Sequence, residues 1–316
     1  MNITFFGASS QIAKGLIRKF SKFTQNHLTL FVRDYDSFNQ WLQIHQISKN
    51  NCIVQDYSAF SNDAKIDVII NCIGVGDPAK ALKISSSIQS ITKYYDEIAL
   101  GYLDSNPETK YFFISSGIAY GDIFSAPARK YTQQNIDMDS SRPEDAYAIS
   151  KVNAEKNHRT FTNLSVIDIR IFSYLSDEID INSRFFISDA LRAIKESKIL
   201  YTNNKNIIRD YIGPDDLYQL ITKLINIKKL NTVVDAYSAE PIDKISILNF
   251  LELSFGLKYE LQNSFKELNA TGSKDHYYSQ NFRAKDFGYN PKFSSKDVIE
   301  DVARKVLKRS RDFKIE

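Results

Sequence analysis

Short, almost wholly apolar runs alternate with longer amphipathic stretches through the first half of the chain, and this alternation constrains the fold more than any motif does. The run NITFFG ends in Gly7 and leads into SSQIAKGLIRKF, where Ile12, Leu16, Ile17 and Phe20 share one helical face. HLTLFV, NCIV, KIDVIINCIG and KYFFISSG repeat the strand signal, with helical stretches between most of them; the clearest runs from Ala79 to Leu103. LSVIDIRIF supplies one more buried strand after a helix that begins near Ala146. Strands that are apolar throughout must be covered on both faces, so the pattern predicts an α/β chain built on a doubly wound parallel sheet.

Beyond Phe172 the rhythm changes. SRFFISDALRAIKES, PDDLYQLITKLINI, KISILNFLELSFG and SSKDVIEDVARKVLKR read as helices, and NTVVDAY as a strand. Pro214 suits a first helical turn, Asp215 and Asp216 complement its dipole, and Gly256 suits a helix end. A chain of 316 residues exceeds the roughly 250–300 at which a single core stops growing. No low-complexity linker or internal repeat interrupts it. The expected organisation is therefore a sheet domain over 1–173, with about 207–238 returning to it, and a smaller interleaved lobe over 174–316.

The charge balance removes several function classes. With 41 basic against 38 acidic residues and no basic block, nothing invites nucleic acid. No apolar run approaches the ~18 residues of a membrane span, and the N-terminus opens directly into a strand without a leader pattern. Cys52 and Cys72 have no CxxC spacing, and His27, His45, His158 and His276 lie in no ligand spacing, so neither a disulfide framework nor a metal site is expected. A reducing cytoplasm fits.

Two stretches carry chemistry. In FFGASSQIAKGL, Gly7 follows a strand and precedes a helix, whose first amides suit a pyrophosphate. Ser10 and Ala13 stand where the second and third glycines of the dinucleotide fingerprint would be, so the loop alone also fits a plain strand-to-helix turn. Small residues still allow close backbone approach, and the Ser9 and Ser10 hydroxyls suit donation to phosphate. After the second strand, Arg33 stands where an acid would grip an unphosphorylated ribose, which favours NADP(H), with NAD(H) possible. Asp34 takes the ribose role if the turn is shifted by one residue; alternatively Arg33 is only a solvated charge.

In AYAISKVNAEK, Tyr147 and Lys151 are one helical turn apart. A lysine ammonium beside a phenol lowers its pKa from about 10 and makes it a usable acid and base. Ser115 and Ser116 end a buried strand at the carboxyl edge of the sheet, where a hydroxyl can hold a substrate oxygen. Alone, YxxxK also describes an amphipathic helix with an exposed lysine. The order of the three signals, nucleotide loop, serine, then tyrosine and lysine, is what argues for an oxidoreductase.

GASSQIA, FISSGIAYG, YAISK with AE after it, RIFSY, RDYIGPDDL and GYNP together resemble the extended short-chain dehydrogenase/reductases, the NAD(P)-dependent epimerases, dehydratases and reductases of sugar nucleotides. The segments run from Gly7 to Pro291, nearly the whole chain. The resemblance implies a Rossmann-type domain for the dinucleotide and a C-terminal lobe for the nucleotide sugar. It makes Tyr147 the acid/base, Lys151 its partner and a ribose contact, and Ser116 the donor to the substrate oxygen, four residues before Tyr120. It matches Gly7, Ser10, Gln11 and Ile12 to the pyrophosphate loop, Asp56 to the adenine end, and Cys72, Ile73 and Gly74 to the wall after the fourth strand. Arg209 matches an arginine on the substrate phosphates, with an ion pair to Asp210 as the structural alternative. Ser173 stands where an asparagine usually meets the substrate, beside Gly117 in the same subsite.

Dehydratases of this family carry an Asp-Glu pair after the catalytic Ser/Thr, where this chain has Gly117 and Ile118, so dehydration is not expected. Three readings remain. An NADPH-dependent 4-ketoreductase making a deoxysugar nucleotide for surface polysaccharide is preferred, because Arg33 favours a cofactor that cells keep reduced. A 4-epimerase retaining NAD is the alternative, and a non-catalytic dinucleotide-binding sensor the third. The resemblance further implies a homodimer packed through the helices Ala79–Leu103 and Ala146–Phe161.

Overall fold

A computed structural model of the chain describes residues 1–75, 83–263 and 274–312. Seven parallel strands form the central sheet: β1 (Asn2–Phe6), β2 (His27–Phe31), β3 (Cys52–Gln55), β4 (Val68–Asn71), β5 (Lys110–Ser116), β6 (Ser165–Ile171) and β11 (Thr232–Ala236). Their order is β11-β6-β5-β4-β1-β2-β3. The chain winds outward from β1 through β2 to β3, then crosses back to place β4 on the other side of β1. That reversal opens a crevice at the carboxyl ends of β1 and β4, where ligands bind in open α/β sheets.

Both faces of the sheet are covered, as strands like β6, buried at all seven positions, require. On one face the helices Gln11–Phe20, Tyr35–Ile44 and Pro214–Ile225 bury Leu16, Ile17, Phe38, Leu217 and Ile221 against β1, β2 and β6. On the other, Ser85–Ser105 and Ala146–His158 bury Ala99, Leu103 and Ala154 against Phe6, Tyr111 and Val166.

The remaining chain builds a second core. Helices Phe186–Glu196, Lys244–Phe255 and Ser295–Asp312 pack Leu191, Leu248, Leu251 and Val302 together. Short strands join this body to the sheet: β7 (Ser173–Tyr174) with β10 (Tyr211–Ile212), β9 (Ile208–Arg209) between β12 (Ile242–Asp243) and β14 (His276–Tyr277), and β8 (Ile199–Thr202) with β13 (Lys258–Leu261). Between β10 and the lobe, β11 returns to pair with β6.

Two predicted elements are corrected. The strand within KIDVIINCIG is only Val68–Asn71, because Cys72 leaves the sheet to form the crevice wall. The helix expected from Ala79 starts at Ser85 and runs to Ser105; residues 79–82 lie outside the described residues.

Candidate active site

The phosphate end is set by Gly7, which has φ +70° and closes the turn after β1. A Cβ there would stand 3.0 Å from the Ile73 nitrogen and 3.1 Å from the Cys72 carbonyl, so only glycine lets the β1 loop and the β4 loop meet. Ser10 caps the next helix, its Oγ accepting the Ala13 N–H at 3.2 Å, and the first turn carries no acid. Cys72 is hydrogen-bonded to Ser10, and burial pushes its thiol up to about 12. Ser9 is exposed, Ile12 half-buried, and the Gln11 amide reaches Ser176 Oγ at 3.4 Å. The Gly7 N–H donates to the Tyr57 hydroxyl at 2.7 Å, which in turn donates to the Phe31 carbonyl. Tyr57 is a loop anchor that no sequence signal reveals.

At the end of β2 the structure separates Arg33 from Asp34. Asp34 caps the helix Tyr35–Ile44, accepting the Ser37 N–H at 3.1 Å, whereas Arg33 is exposed beside Tyr57. Asp56 is exposed and caps the turn Tyr57–Ala59; its bonds from Ser58 hold its carboxyl below the usual range. The cradle at Gly7 that a Cβ would fill and the acid-free helix start fit a nicotinamide dinucleotide.

The chemical end lies where β5 meets the helix Ala146–His158. Strand alternation turns Ser115 and Ser116 to opposite faces. Ser115 is buried and donates to Glu155 Oε1 at 2.6 Å; Ser116 is half-buried and hydrogen-bonded to Tyr147. A Cβ on Gly74 would lie 3.6 Å from Lys151 Nζ and 3.9 Å from the Tyr147 hydroxyl, so the β4 loop, Tyr147 and Lys151 converge.

The electrostatics correct the sequence expectation. Lys151 is 1% exposed and donates to the Ile114 carbonyl at 2.8 Å, with Nζ 5.6 Å from the Tyr147 ring centroid. Burial lowers its pKa to about 8. Burial, with Tyr277 nearby, raises Tyr147 above its ordinary value, and only the Ser116 hydrogen bond opposes this. Helical spacing brings the two side chains close, but the depth of the helix against β5 gives the ammonium a carbonyl partner instead of the phenol.

The lobe contributes Tyr277 and Lys274, which sequence reasoning missed, beside Arg209, which it named. Tyr277 on β14 is buried, its hydroxyl 3.4 Å from Ser116 Oγ, and burial pushes it up to about 12. Its ring meets Phe124 and Phe172. Lys274 is 9% exposed, with Nζ 5.3 Å from the Phe124 and Tyr277 centroids and 3.8 Å from the exposed Asp122. Arg209 is buried on β9, donates to the carbonyls of Ile208 and Lys274, and lies 5.8 Å from the Tyr277 centroid. Asp210 accepts from the Ser238 N–H and the Ser295 hydroxyl. Ser173 pairs with Tyr211, two residues from Arg209. A Cβ at Gly117 would fall 2.5 Å from the Phe172 ring, so no side chain fits there.

Among the described residues no helix is long and apolar enough to cross a membrane. A dinucleotide crevice beside a Ser, Tyr and Lys cluster, closed by a second lobe, defines an NAD(P)-dependent enzyme of the extended short-chain dehydrogenase/reductase type. The model of the NAD dependent epimerase/dehydratase family matches residues 3–236, and the chain belongs to that family. No curated protein matches it in sequence. Solved structures share the fold at low identity. UDP-N-acetylglucosamine 4-epimerase from Methanobrevibacter ruminantium has a TM-score of 0.80 at 13% identity, over 98% of each chain. UDP-glucose 4-epimerase from Thermotoga maritima has 0.77 at 14%, over 98% of this chain and 99% of that one. RMD from Pseudomonas aeruginosa, solved with NADPH, has 0.73 at 16% over the same shares.

Proposed function

We propose that the protein is an NADPH-dependent 4-ketoreductase of a nucleotide sugar. The observation that carries this reading is the end of β2: Asp34 is committed to a helix cap, which leaves exposed Arg33 as the residue that would meet an adenosine ribose, where a guanidinium would attract a 2'-phosphate. The raised Tyr147 agrees with it. A phenol that keeps its proton is ready to donate, as a reductase needs, whereas an epimerase begins by removing a proton from an alcohol.

A dinucleotide held by Gly7, Ser10, Gln11, Ile12 and Gly74 would supply hydride. Ser116 holds the carbonyl oxygen of the sugar, and Tyr147 gives its phenolic proton to that oxygen as it gains charge. Lys151, bonded to the Ile114 carbonyl and cationic below about pH 8, adds a positive charge 5.6 Å from the Tyr147 ring, which favours the phenolate once the proton has left. Arg209 and Ser173 hold the nucleotide-sugar end, with Tyr277 closing the sugar pocket over Gly117 and Phe172. Gly117 supports reduction over dehydration, since the Phe172 ring leaves no room for an acidic side chain there.

The test is to denature the purified protein and identify the released dinucleotide by mass spectrometry, then to screen 4-keto sugar nucleotides with NADPH. Empty protein or traces of NADP(H), with NADPH consumed, support the reductase. Near-stoichiometric NAD refutes it in favour of a 4-epimerase. A homodimer through the helices Ser85–Ser105 and Ala146–His158 belongs to the same reading; their outward residues include Lys93, Tyr94, Glu97 and Lys156, and a monomer by light scattering refutes it.

A further inference from the structure

Glu155 lies one helical turn beyond Lys151 and is 3% exposed. It accepts the Ser115 hydroxyl at 2.6 Å and two bonds from Arg170 Nε, at 3.0 and 3.2 Å, with Arg170 Nη2 closing the fork at 2.5 Å. Ser115 and Arg170 face each other across the β5–β6 ladder, so one carboxylate sits over one rung of the sheet. Lys151, four residues earlier, bonds the Ile114 carbonyl, the position just before Ser115. Two successive turns of the catalytic helix are thus pinned to two successive residues of β5, immediately before Ser116.

Burying an ion pair this deeply costs desolvation, and an apolar pair of similar volume would hold helix to sheet at least as well. The pair therefore does something that packing alone does not require. We propose that Glu155 is a positioning residue, locking Lys151 and Ser116 into one register by joining the catalytic helix to the catalytic strand. This rests on the reading of Ser116, Tyr147 and Lys151 as the reacting groups.

The groups around Lys151 make the lock measurable. Cys72 faces it from the β4 loop, Asp96 from the helix Ser85–Ser105, Tyr147 and Glu155 from its own helix, Asp168 from β6, and the Phe113 ring from β5 at 4.2 Å. Asp96 and Asp168 share the cation of His158. Glu155 favours the charged form of Lys151, and replacing it with a neutral residue both removes that field and leaves Arg170 uncompensated.

The experiment is NADPH binding, followed by its fluorescence between pH 6.5 and 10, for the wild type, Glu155→Gln and Lys151→Met. In the wild type the affinity breaks as Lys151 loses its proton, near pH 8. For Glu155→Gln the break moves to lower pH, so Kd is within about twofold of wild type at pH 6.5 and more than about threefold weaker at pH 8.5. Kd weakened equally at every pH, or unchanged, overturns the proposal. Should Glu155→Gln not fold, Glu155→Gln with Arg170→Gln removes both buried charges; the break should then move to lower pH by less, because the opposing charge of Arg170 goes as well, and no movement at all overturns the proposal. Lys151→Met should abolish the break; if it persists there, the reading of Lys151 itself fails, a result separate from anything seen at Glu155.

Discussion

Replacing His158 by glutamine tests the electrostatic centre beneath the helices Ser85–Ser105 and Ala146–His158. The imidazole is fully buried, with Nδ1 2.6 Å from Asp168 and Nε2 2.8 Å from Asp96. Tyr111 donates to the same Asp96 oxygen, Arg159 pairs with the other oxygen of Asp168, and Asn71 links Tyr111 to the Ile73 N–H of the crevice wall. Burial opposes the charged ring, but the two carboxylates win and lift His158 from 6.5 to about 9. The lift stabilises the folded state, offset in part by the burial that raises Asp168. Because the folded value lies above the unfolded one, this stabilisation is full below about pH 6.5 and is lost as pH rises through about 9. His158→Gln should therefore cost roughly 3–5 kcal/mol at pH 7, the usual result of stranding a buried carboxylate. Melting should fall by roughly 5–10 °C, and the gap should narrow by pH 9.5. Urea unfolding of both proteins at pH 7 and 9.5 gives the comparison. A loss under about 1 kcal/mol at pH 7, or an equal loss at both pH values, would mean the ring is neutral in the fold and would refute the reasoning.

Three other substitutions probe the site. Tyr147→Phe should reduce turnover by roughly 10²–10⁴-fold and leave the dinucleotide Kd within about twofold; undiminished turnover sinks the catalytic assignment. Arg33→Ser should weaken NADPH by about tenfold or more, the scale of one lost charged contact, with NADH little changed; equal losses for both cofactors would remove Arg33 from the 2'-phosphate. Gly117→Ala drives a methyl into the Phe172 ring and should cost about 1–3 kcal/mol, most of it recovered by adding Phe172→Leu; a Gly117→Ala protein as stable as wild type contradicts the clash.

The central strands were legible because burial on both faces leaves largely apolar runs, as β4 illustrates; β6 is buried at every position yet carries Asp168 and Arg170, which are paired with His158 and Glu155. The lobe's sheets were not, since pairs such as β7 with β10 and the ladder around β9 use two-residue strands too short to show a period. Local spacing brought Tyr147 and Lys151 together but said nothing of the Ile114 carbonyl, whose role depends on how deeply the helix sinks onto β5. Of the two residues left open after β2, only the helix start at Tyr35 decided that Asp34 is a cap. Tyr277 comes to Ser116 through tertiary pairing of β14 with β9, across a sequence separation of 161, and nothing in SKDHYYSQ marks it.

The placement of β11 bears on how the chain is made. Synthesis delivers β6 by Ile171, but the strand that covers its outer edge starts only at Thr232. At about 5–20 residues per second on the ribosome, those sixty or so residues take roughly 3–12 s. For that interval a seven-residue strand, buried at every position in the finished fold, presents a bare row of amides and carbonyls, an edge that another nascent chain can pair with as readily as β11. Output of this protein in a cell should therefore be sensitive to chaperone supply at a late, narrow stage of translation.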